Sequence, residues 1–434
     1  MFAALLALLA GLPGVFAMPP LDRDEARFAQ ATAQMLETGD LVVIRFQDEP
    51  RFKKPVGIHW LQAASVSLVS AVEDREIWAY RLPSLLGAML AAAACAWGAA
   101  AFFGAPAGLM AGAMLGSTLL LSTEAFIAKT DAVLCGTVVL TMAALARIYG
   151  AARGGSPVTW RTRLLFWLGL SAALLVKGPV GLMVVTLTSL ALIAWDRRID
   201  WLKDLGLSWG PILLVGLVGP WAWAVTVATD GGFWTTALMS DLAPKLAGSH
   251  ESHGAPPGYH LLGLSFLAFP MTLMIPAALI LAWVKRREPG VRFALCWLIP
   301  TWLVFELAPT KLVHYTLPTY GALAWLAAAA LREGVGPFAR WAGAGLAAVS
   351  GLILAGVCFY LVSEFGGTAD VTAAAAAGGL LAAAGLIGGF MLVSQAPKGA
   401  MVAAMGLAIL GHAVLAAGLI PGLAPLWSLS LIHI

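Results

Sequence analysis

The sequence predicts an all-α, polytopic membrane protein, and three observations carry that prediction. Of the 434 residues, 60% are hydrophobic and only 11% are charged, a balance far from that of a water-soluble domain. Apolar runs recur along the whole chain, many of them near the ~20 residues that carry a helix across ~30 Å of hydrocarbon. The charged residues gather in short segments between these runs, so the polar faces that soluble helices need are missing.

Thirteen spans are expected, near residues 2–18, 78–103, 106–123, 127–147, 164–176, 178–195, 206–229, 260–284, 293–307, 314–331, 341–362, 374–393 and 400–420. The fifth is short and reads as a candidate re-entrant segment. The first, Met1–Ala17, has cleavage-site character at Val15-Phe16-Ala17 but no basic n-region, the first arginine being Arg23. A retained span is therefore the preferred reading over a removed signal peptide. Runs of small residues such as Ala373–Gly379 are read as close helix packing. Cys95, Cys135, Cys296 and Cys358 each lie within an apolar run, without CxxC or Cys/His spacing, so neither a disulfide nor a cysteine metal centre is expected. His412 is isolated on an apolar face and reads as structural.

Charge sets the orientation. With the N-terminus inside, the segments Arg147–Arg163, Asp196–Asp204, Lys285–Arg292, Arg332–Arg340 and Ser394–Gly399 hold 14 Lys/Arg and 5 Asp/Glu, leaving 12 basic and 18 acidic residues outside or in spans. That asymmetry fits the positive-inside rule and puts two long loops outside, 19–77 and 230–259. The net charge of +3 is spread over short loops, so nucleic acid is not an expected partner.

The first long loop is the most polar stretch of the chain. Between Asp22 and Asp40 stand seven charged residues, followed by Arg45, Asp48, Glu49, Arg51, Lys53 and Lys54. A helix from about Asp22 to Thr38, closed by Gly39, would put Asp24, Arg27 and Phe28 on one face. Glu49-Pro50-Arg51-Phe52-Lys53-Lys54-Pro55 is a stiff basic segment bounded by prolines, suited to holding two ammonium groups near a phosphate. The plain alternative is a solvated loop with a surface helix. Val56–Val72 suits a helix lying at the interface, with Trp60 at headgroup depth.

Further on, Glu124, Lys129 and Asp131 open the fourth span near its outer boundary, where a Lys129–Asp131 interfacial pair would be enough to explain them. Lys177-Gly178-Pro179 interrupts an apolar run as a simple turn. The second long loop contains Asp241, Lys245, His250, Glu251, His253 and His260. His250-x-x-His253 in that Gly/Pro setting lacks the rigid geometry of a helical zinc motif, and solvated histidines are the favoured reading. Lys311, His314 and Tyr315 fall at i, i+3 and i+4, a shared helical face that would also serve as a headgroup anchor.

The run D-x-D-E-A-R-F-A-Q-A-x-x-x-M-L-x-x-G-D, followed by E-P-R-F-x-K-P-x-x-x-x-W, resembles the first periplasmic loop of polyprenyl-phosphate-sugar-dependent glycosyltransferases. These are the membrane enzymes of the lipid A aminoarabinose transferase and protein O-mannosyltransferase type. The resemblance implies a GT-C-type bundle of about 13 transmembrane helices with a helical first periplasmic loop, in a bacterial inner membrane. It implies a polyprenyl-phosphate-linked sugar as donor and a lipid A, envelope-glycan or protein acceptor. Asp24 is then the general base, Arg27 restrains it or meets the phosphate, and Glu25 stands beside them in the substrate site. Lys53 and Lys54 face the leaving phosphate, and a single carboxylate activating an attacking oxygen implies inversion at the sugar.

Later segments extend the resemblance. K-T-D resembles a second external acidic site, so Asp131 would orient the acceptor or a metal. The K-G-P triplet recurs in the family and places Lys177 near the donor head, while Lys245 is the nearest candidate for a further phosphate contact. K-L-x-H-Y-x-L-P-x-Y matches the family's late motif and brings in Lys311, His314 and Tyr315 as substrate-binding residues. The aminoarabinose transferases carry an acidic residue just before the lysine of the Lys-Pro pair, where this chain has Lys53. A metal held by that carboxylate would lose a ligand here, which leaves a divalent metal open as a cofactor. Residues 1–428 are expected to form the membrane transferase domain. The last six residues, 429–434, read as a non-native tail that takes the place of the family's soluble C-terminal domain. A transporter or lipid flippase is the alternative, but the charges cluster at one face and no inverted repeat is visible. A non-catalytic scaffold would leave Asp24, Arg27 and Lys54 without a role.

Overall fold

The computed structural model describes residues 1–20, 23–242 and 254–426. Lys245, His250, Glu251, His253 and the tail 429–434 lie outside the described residues. The chain begins with α1 (Phe2–Ala17), then the loop helix α2 (Arg23–Thr38), a two-stranded antiparallel hairpin of β1 (Arg45–Phe46) and β2 (Glu49–Pro50), and α3 (Gly57–Val69). The bundle continues with α4 (Ile77–Phe103), α5 (Ala105–Gly116), α6 (Leu119–Ala125), α7 (Asp131–Ala151), α8 (Trp160–Lys177), α9 (Val180–Asp196) and α10 (Gly210–Ala228). It is completed by α11 (Tyr259–Leu267), α12 (Ile275–Val284), α13 (Pro289–Leu307), α14 (Tyr320–Glu333), α15 (Pro337–Phe365), α16 (Val371–Val393) and α17 (Pro397–Val414).

Each of the thirteen expected spans falls on one of these helices or on a bent pair of them. Among the described residues, seven helices are long and apolar enough to cross a membrane unaided, or up to nine if each bent pair is one span. The bends differ from the sequence expectation. The fifth segment lies within an 18-residue helix, α8. The sharp turn comes instead between α11 and the Met271–Val284 helix, which meet at 111°, and a second bend of 63° separates α5 from α6.

Helix α7 lies at the centre, with 89% of its apolar window buried inside the protein. Its approach to α4 requires glycine on both sides: a Cβ on Gly136 would stand 2.4 Å from the Gly87 carbonyl oxygen. Contact of this closeness replaces the hydrophobic drive that is missing between helices in lipid. The four cysteines are free and buried.

Helix α2 forms as its sequence dictates. Glu25, Phe28, Thr32 and Met35 recur at helical spacing and are buried, while Gly39 ends the helix with φ +70°. The Asp40 carboxylate then accepts from the Val42 and Val43 backbone N–H groups, each at 3.0 Å, and turns the chain into the hairpin. Gln34 on α2 holds the hairpin tip by exchanging two hydrogen bonds with the Gln47 backbone, at 2.9 and 2.8 Å. Ala31 and Met35 pack with Ile44, Val56, Trp221, Val225 and Phe233, so the loop domain rests on the end of α10.

Candidate active site

The site is built from three chain segments that meet at one end of the bundle. The first is the α2–hairpin unit. Asp24 projects from the first turn of α2 with its side chain 47% exposed, and Arg27, one turn on, lies 3.6 Å from its Oδ1. The hairpin returns Arg51 to the same oxygen at 3.5 Å, a partner that helical spacing alone gives no sign of. Arg51 and Lys54 both stack over the Phe28 ring, at 5.6 and 5.5 Å from its centroid. Lys53, next to Lys54, is partly buried. Three cations, Arg27, Arg51 and Lys54, thus gather around Asp24 and Phe28, with Lys53 next in sequence, an arrangement that favours an anion.

The second segment is the α6–α7 connection. Asp131 opens α7 and is buried, and Lys177, from the last turn of α8, forms an ion pair with it. Glu124, also buried, pairs with Lys129 at 3.5 Å. The third segment is the turn between α13 and α14. There His314 places Nε2 3.5 Å from Asp131 Oδ1 and Nδ1 3.5 Å from Glu124 Oε1, and the Tyr315 ring receives Lys177 at 5.6 Å. Burial holds the His314 imidazole well below its usual pKa; Asp131 pulls the other way, but Lys129, Lys177 and Lys54 add to the depression. His314 is therefore neutral at physiological pH.

Lys54 sits over Phe28 in the exposed half. Its charge opposes protonation of His314 and of His59 alike. His59 is fully buried and stacked on Phe28 at 5.4 Å. Thr32 donates to Gln62 Oε1 at 2.8 Å and contacts His59 Nδ1 at 2.8 Å, which makes His59 Nδ1 the donor in that pair. Burial, then Arg51 and Lys54, push the His59 pKa down to about 3.

Glu25 and Lys311 occupy places that differ from the sequence expectation. Glu25 is 1% exposed and forms a two-pronged pair with Arg81 on α4, at 2.7 and 2.9 Å, while Oε1 also accepts the Ala128 backbone N–H at 2.8 Å. Arg81 further donates to the Met18 and Val15 carbonyls that end α1, at 2.6 and 3.2 Å. Glu25 is thus a buried tie between α1, α2, α4 and the α6–α7 connection, not a group facing the site. Lys311, expected on one helical face with His314 and Tyr315, is buried and donates to the Ala308 carbonyl at 2.6 Å. The shared face does not form because residues 308–316 are not helical. Nearby, His260 donates Nε2–H to the Leu312 carbonyl at 3.1 Å, with Glu306 3.5 Å from Nδ1.

Glu124, Asp131 and His314 bring their ligand atoms within 4.8 Å of one another, the type of donor set a divalent ion accepts. Each carboxylate, however, already faces an ammonium, Lys129 and Lys177 respectively. A dication would set two further positive charges against those lysines, so the set does not fit a resident metal with the lysines in place. Arg81 and Arg51 are the partners that sequence reading missed. Their only signal was a lone arginine in an apolar helix and an extra cation before the Lys-Lys-Pro triplet.

Comparison with known proteins identifies the fold and the family. The sequence model described as dolichyl-phosphate-mannose-protein mannosyltransferase matches residues 15–235. The undecaprenyl phosphate-alpha-4-amino-4-deoxy-L-arabinose arabinosyl transferase of Pseudomonas aeruginosa PAO1 is 30% identical over 330 residues, covering 73% of this chain and 58% of that protein. The enzyme of the same description from Pectobacterium atrosepticum is 30% identical over 326 residues, covering 73% and 56%. The chain therefore spans less than two thirds of the length of these curated relatives. Among solved structures, ArnT from Cupriavidus metallidurans bound to undecaprenyl phosphate superposes with a TM-score of 0.80 at 21% identity, over 98% of this chain and 77% of that one. An oligosaccharyltransferase of Archaeoglobus fulgidus gives 0.54 at 10% identity, over 94% and 54%. These likenesses show a GT-C-type fold. Matched over half its length by that model, the chain belongs to the dolichyl-phosphate-mannose-protein mannosyltransferase family.

Proposed function

We propose that this protein transfers a sugar from a polyprenyl-phosphate carrier to a hydroxyl acceptor, on lipid A, an envelope glycan or a protein, at the periplasmic face of a bacterial inner membrane. The observation that carries the reading is a half-exposed carboxylate ringed by arginines, tied through Glu25 and Gln62 to the α6–α7 connection that bears the buried Asp131–Lys177–His314 group. The cations of the first suit a phosphate and its carboxylate an acceptor hydroxyl, while the second group suits a positioned polar acceptor. The relatives' printed activity, use of an undecaprenyl-phosphate-linked aminoarabinose, points to the same class of donor.

In this scheme the Asp24 carboxylate takes the proton of the acceptor hydroxyl as its oxygen bonds to the anomeric carbon. The bond from that carbon to the phosphate oxygen breaks, and the leaving polyprenyl phosphate keeps the electron pair. Lys54, with Lys53 and Arg51, stabilises the charge where it grows. Arg27 and Arg51 hold the Asp24 carboxylate in place. Asp131, oriented by its ion pair with Lys177 and flanked by neutral His314, positions the acceptor. Attack opposite the leaving group inverts the anomeric centre. Residues 1–428 act as the membrane-embedded catalytic unit.

The test is release of polyprenyl phosphate from radiolabelled lipid-linked sugar by membranes containing the protein. Asp24→Asn should abolish release while the protein still inserts and folds. Undiminished turnover by that variant would remove Asp24 from the mechanism, and cytosolic accessibility of an Asp24→Cys label would overturn the periplasmic assignment.

A further inference from the structure

Four of the helices that reach the candidate site with one end enclose a cavity with the other. Helix α4 carries Arg81 near its start and Trp97, Phe102 and Phe103 at its end; α7 starts at Asp131 and ends at Arg147–Ala151. Helix α8 starts beside Arg161 and ends at Lys177, and α13 starts at Pro289 and ends beside the Glu306 cluster. At 1.5 Å per residue, the 21 residues of α7 span about 31 Å. The cavity therefore lies on the opposite side of the membrane from Asp131, among the loops that carry the chain's basic excess. Its volume is about 840 Å³.

Its lining combines two chemistries. Trp97, Phe102 and Phe103 supply apolar rings, and Arg147, Arg153 and Arg161 supply cations. The arginines are not balanced. Arg147 donates from Nη2 to the Trp97 carbonyl at 2.8 Å and lies over the Trp97 ring at 4.5 Å, while its buried Nε has no hydrogen-bond acceptor among the described residues. Arg161 is exposed at the rim, with its guanidinium 5.7 Å from the Trp160 ring. No described carboxylate pairs with either. Arg153 shares the single carboxylate of Asp196 with Arg292. Glu288, the acidic residue of the lining, is engaged by Lys285 at 3.1 Å.

We infer that this cavity binds the phosphate headgroup of an anionic membrane phospholipid, at a site separate from the transferase centre. Guanidinium groups match phosphate oxygens in geometry and charge, and neither Arg147 nor Arg161 has a described carboxylate to neutralise it. The aromatic rings accept the apolar glycerol and acyl portion beside the headgroup, which free phosphate does not need. Basic pockets between spans on this membrane side are suited to anionic lipids.

The experiment uses the full chain in detergent, with its unfolding temperature followed as lipid is titrated in. Phosphatidylglycerol should raise that temperature saturably and phosphatidylcholine should not. R161Q should shift the half-saturating lipid concentration upward by about fivefold and R147Q/R161Q by roughly 25-fold, from the usual worth of one arginine against an anionic lipid. K398Q, which removes an exposed cation on the same side outside the cavity, should behave as wild type. If R147Q/R161Q does not fold, R161Q alone decides. Equal stabilisation by phosphatidylcholine, wild-type titration of the arginine variants, or an equal loss in K398Q overturns the inference. So does full stabilisation by inorganic phosphate at the same concentration. Polyprenyl phosphate release by R161Q in phosphatidylcholine micelles should match wild type, so failure of this site and failure of the transferase reading are told apart.

Discussion

Lys177 holds Asp131 at the one point where the C-terminus of α8 meets the N-terminus of α7. Both side chains are nearly closed off from solvent, so the two charges depend on each other. Removing one partner should cost about 3–5 kcal/mol through the uncompensated charge left behind. Lys177→Met and Asp131→Asn should each lower thermal stability in detergent, and the double variant should recover part of that loss. Activity should not return in the double variant, because Asp131 is needed in the site. Additive losses in the double-mutant cycle would show that the pair is not energetically coupled.

Adjacent residues on α2 should give opposite phenotypes. Asp24 is half exposed and its ion pairs are loose, so Asp24→Asn should change stability by no more than about 1 kcal/mol. Its cost should fall on turnover. Glu25 is buried in the two-pronged pair with Arg81, and Glu25→Ala should destabilise by about 3–5 kcal/mol by stranding that arginine. Unfolding temperatures and release rates measured side by side separate the two. A stable, inactive Glu25→Ala would return Glu25 to the substrate site.

How far the site was legible follows from which contacts are local. Helix α2, its closing Gly39 and the Asp24–Arg27 pair are set by neighbours three to sixteen positions apart, and periodicity reveals such contacts. The convergence of Lys177 and His314 on Asp131 is a tertiary contact between distant segments, and no spacing rule carries it; the resemblance to family motifs brought those residues together instead. Lys311 shows the limit of the periodic argument. Its i, i+3, i+4 relation to His314 and Tyr315 presupposed a helix, and Pro309 and Pro318 flank a segment that is not helical. Arg81 was hidden for a different reason. An arginine in an apolar run reads as an interface anchor until its partner, Glu25, is known to fold back onto it.

His59 makes the first loop acid-sensitive. The folded protein keeps its ring neutral down to about pH 3, against 6.5 for the free side chain. Between those values the unfolded chain binds more protons, so stability falls as pH is lowered through the window and is fully present above about 6.5. At pH 5 the loss should be about 2 kcal/mol. His59→Asn, which keeps a hydrogen-bonding side chain without titrating, should flatten the fall between pH 7 and 4. An unchanged pH dependence of the unfolding temperature in that variant would assign the acid sensitivity elsewhere.

If Lys54 acts on both halves of the site, its loss should be felt in the chemical step. Lys54→Met removes a charge aimed at the leaving phosphate and should reduce turnover by about 10²- to 10³-fold, the usual effect of deleting one group that stabilises developing negative charge. Lys54→Arg keeps the charge and should restore a large part of it. Lys53→Met should lower turnover as well, by a smaller factor than Lys54→Met, because that side chain supports the same developing charge. A second consequence distinguishes electrostatics from simple packing. Lys54 holds down the pKa of His314 and His59, so Lys54→Met should raise both imidazole pKa values, whereas Lys54→Arg should not. Imidazole titration by NMR in detergent reads this directly. Should Lys54→Met lose activity with both imidazoles unmoved, Lys54 would act on the substrate from farther away than action on both halves requires.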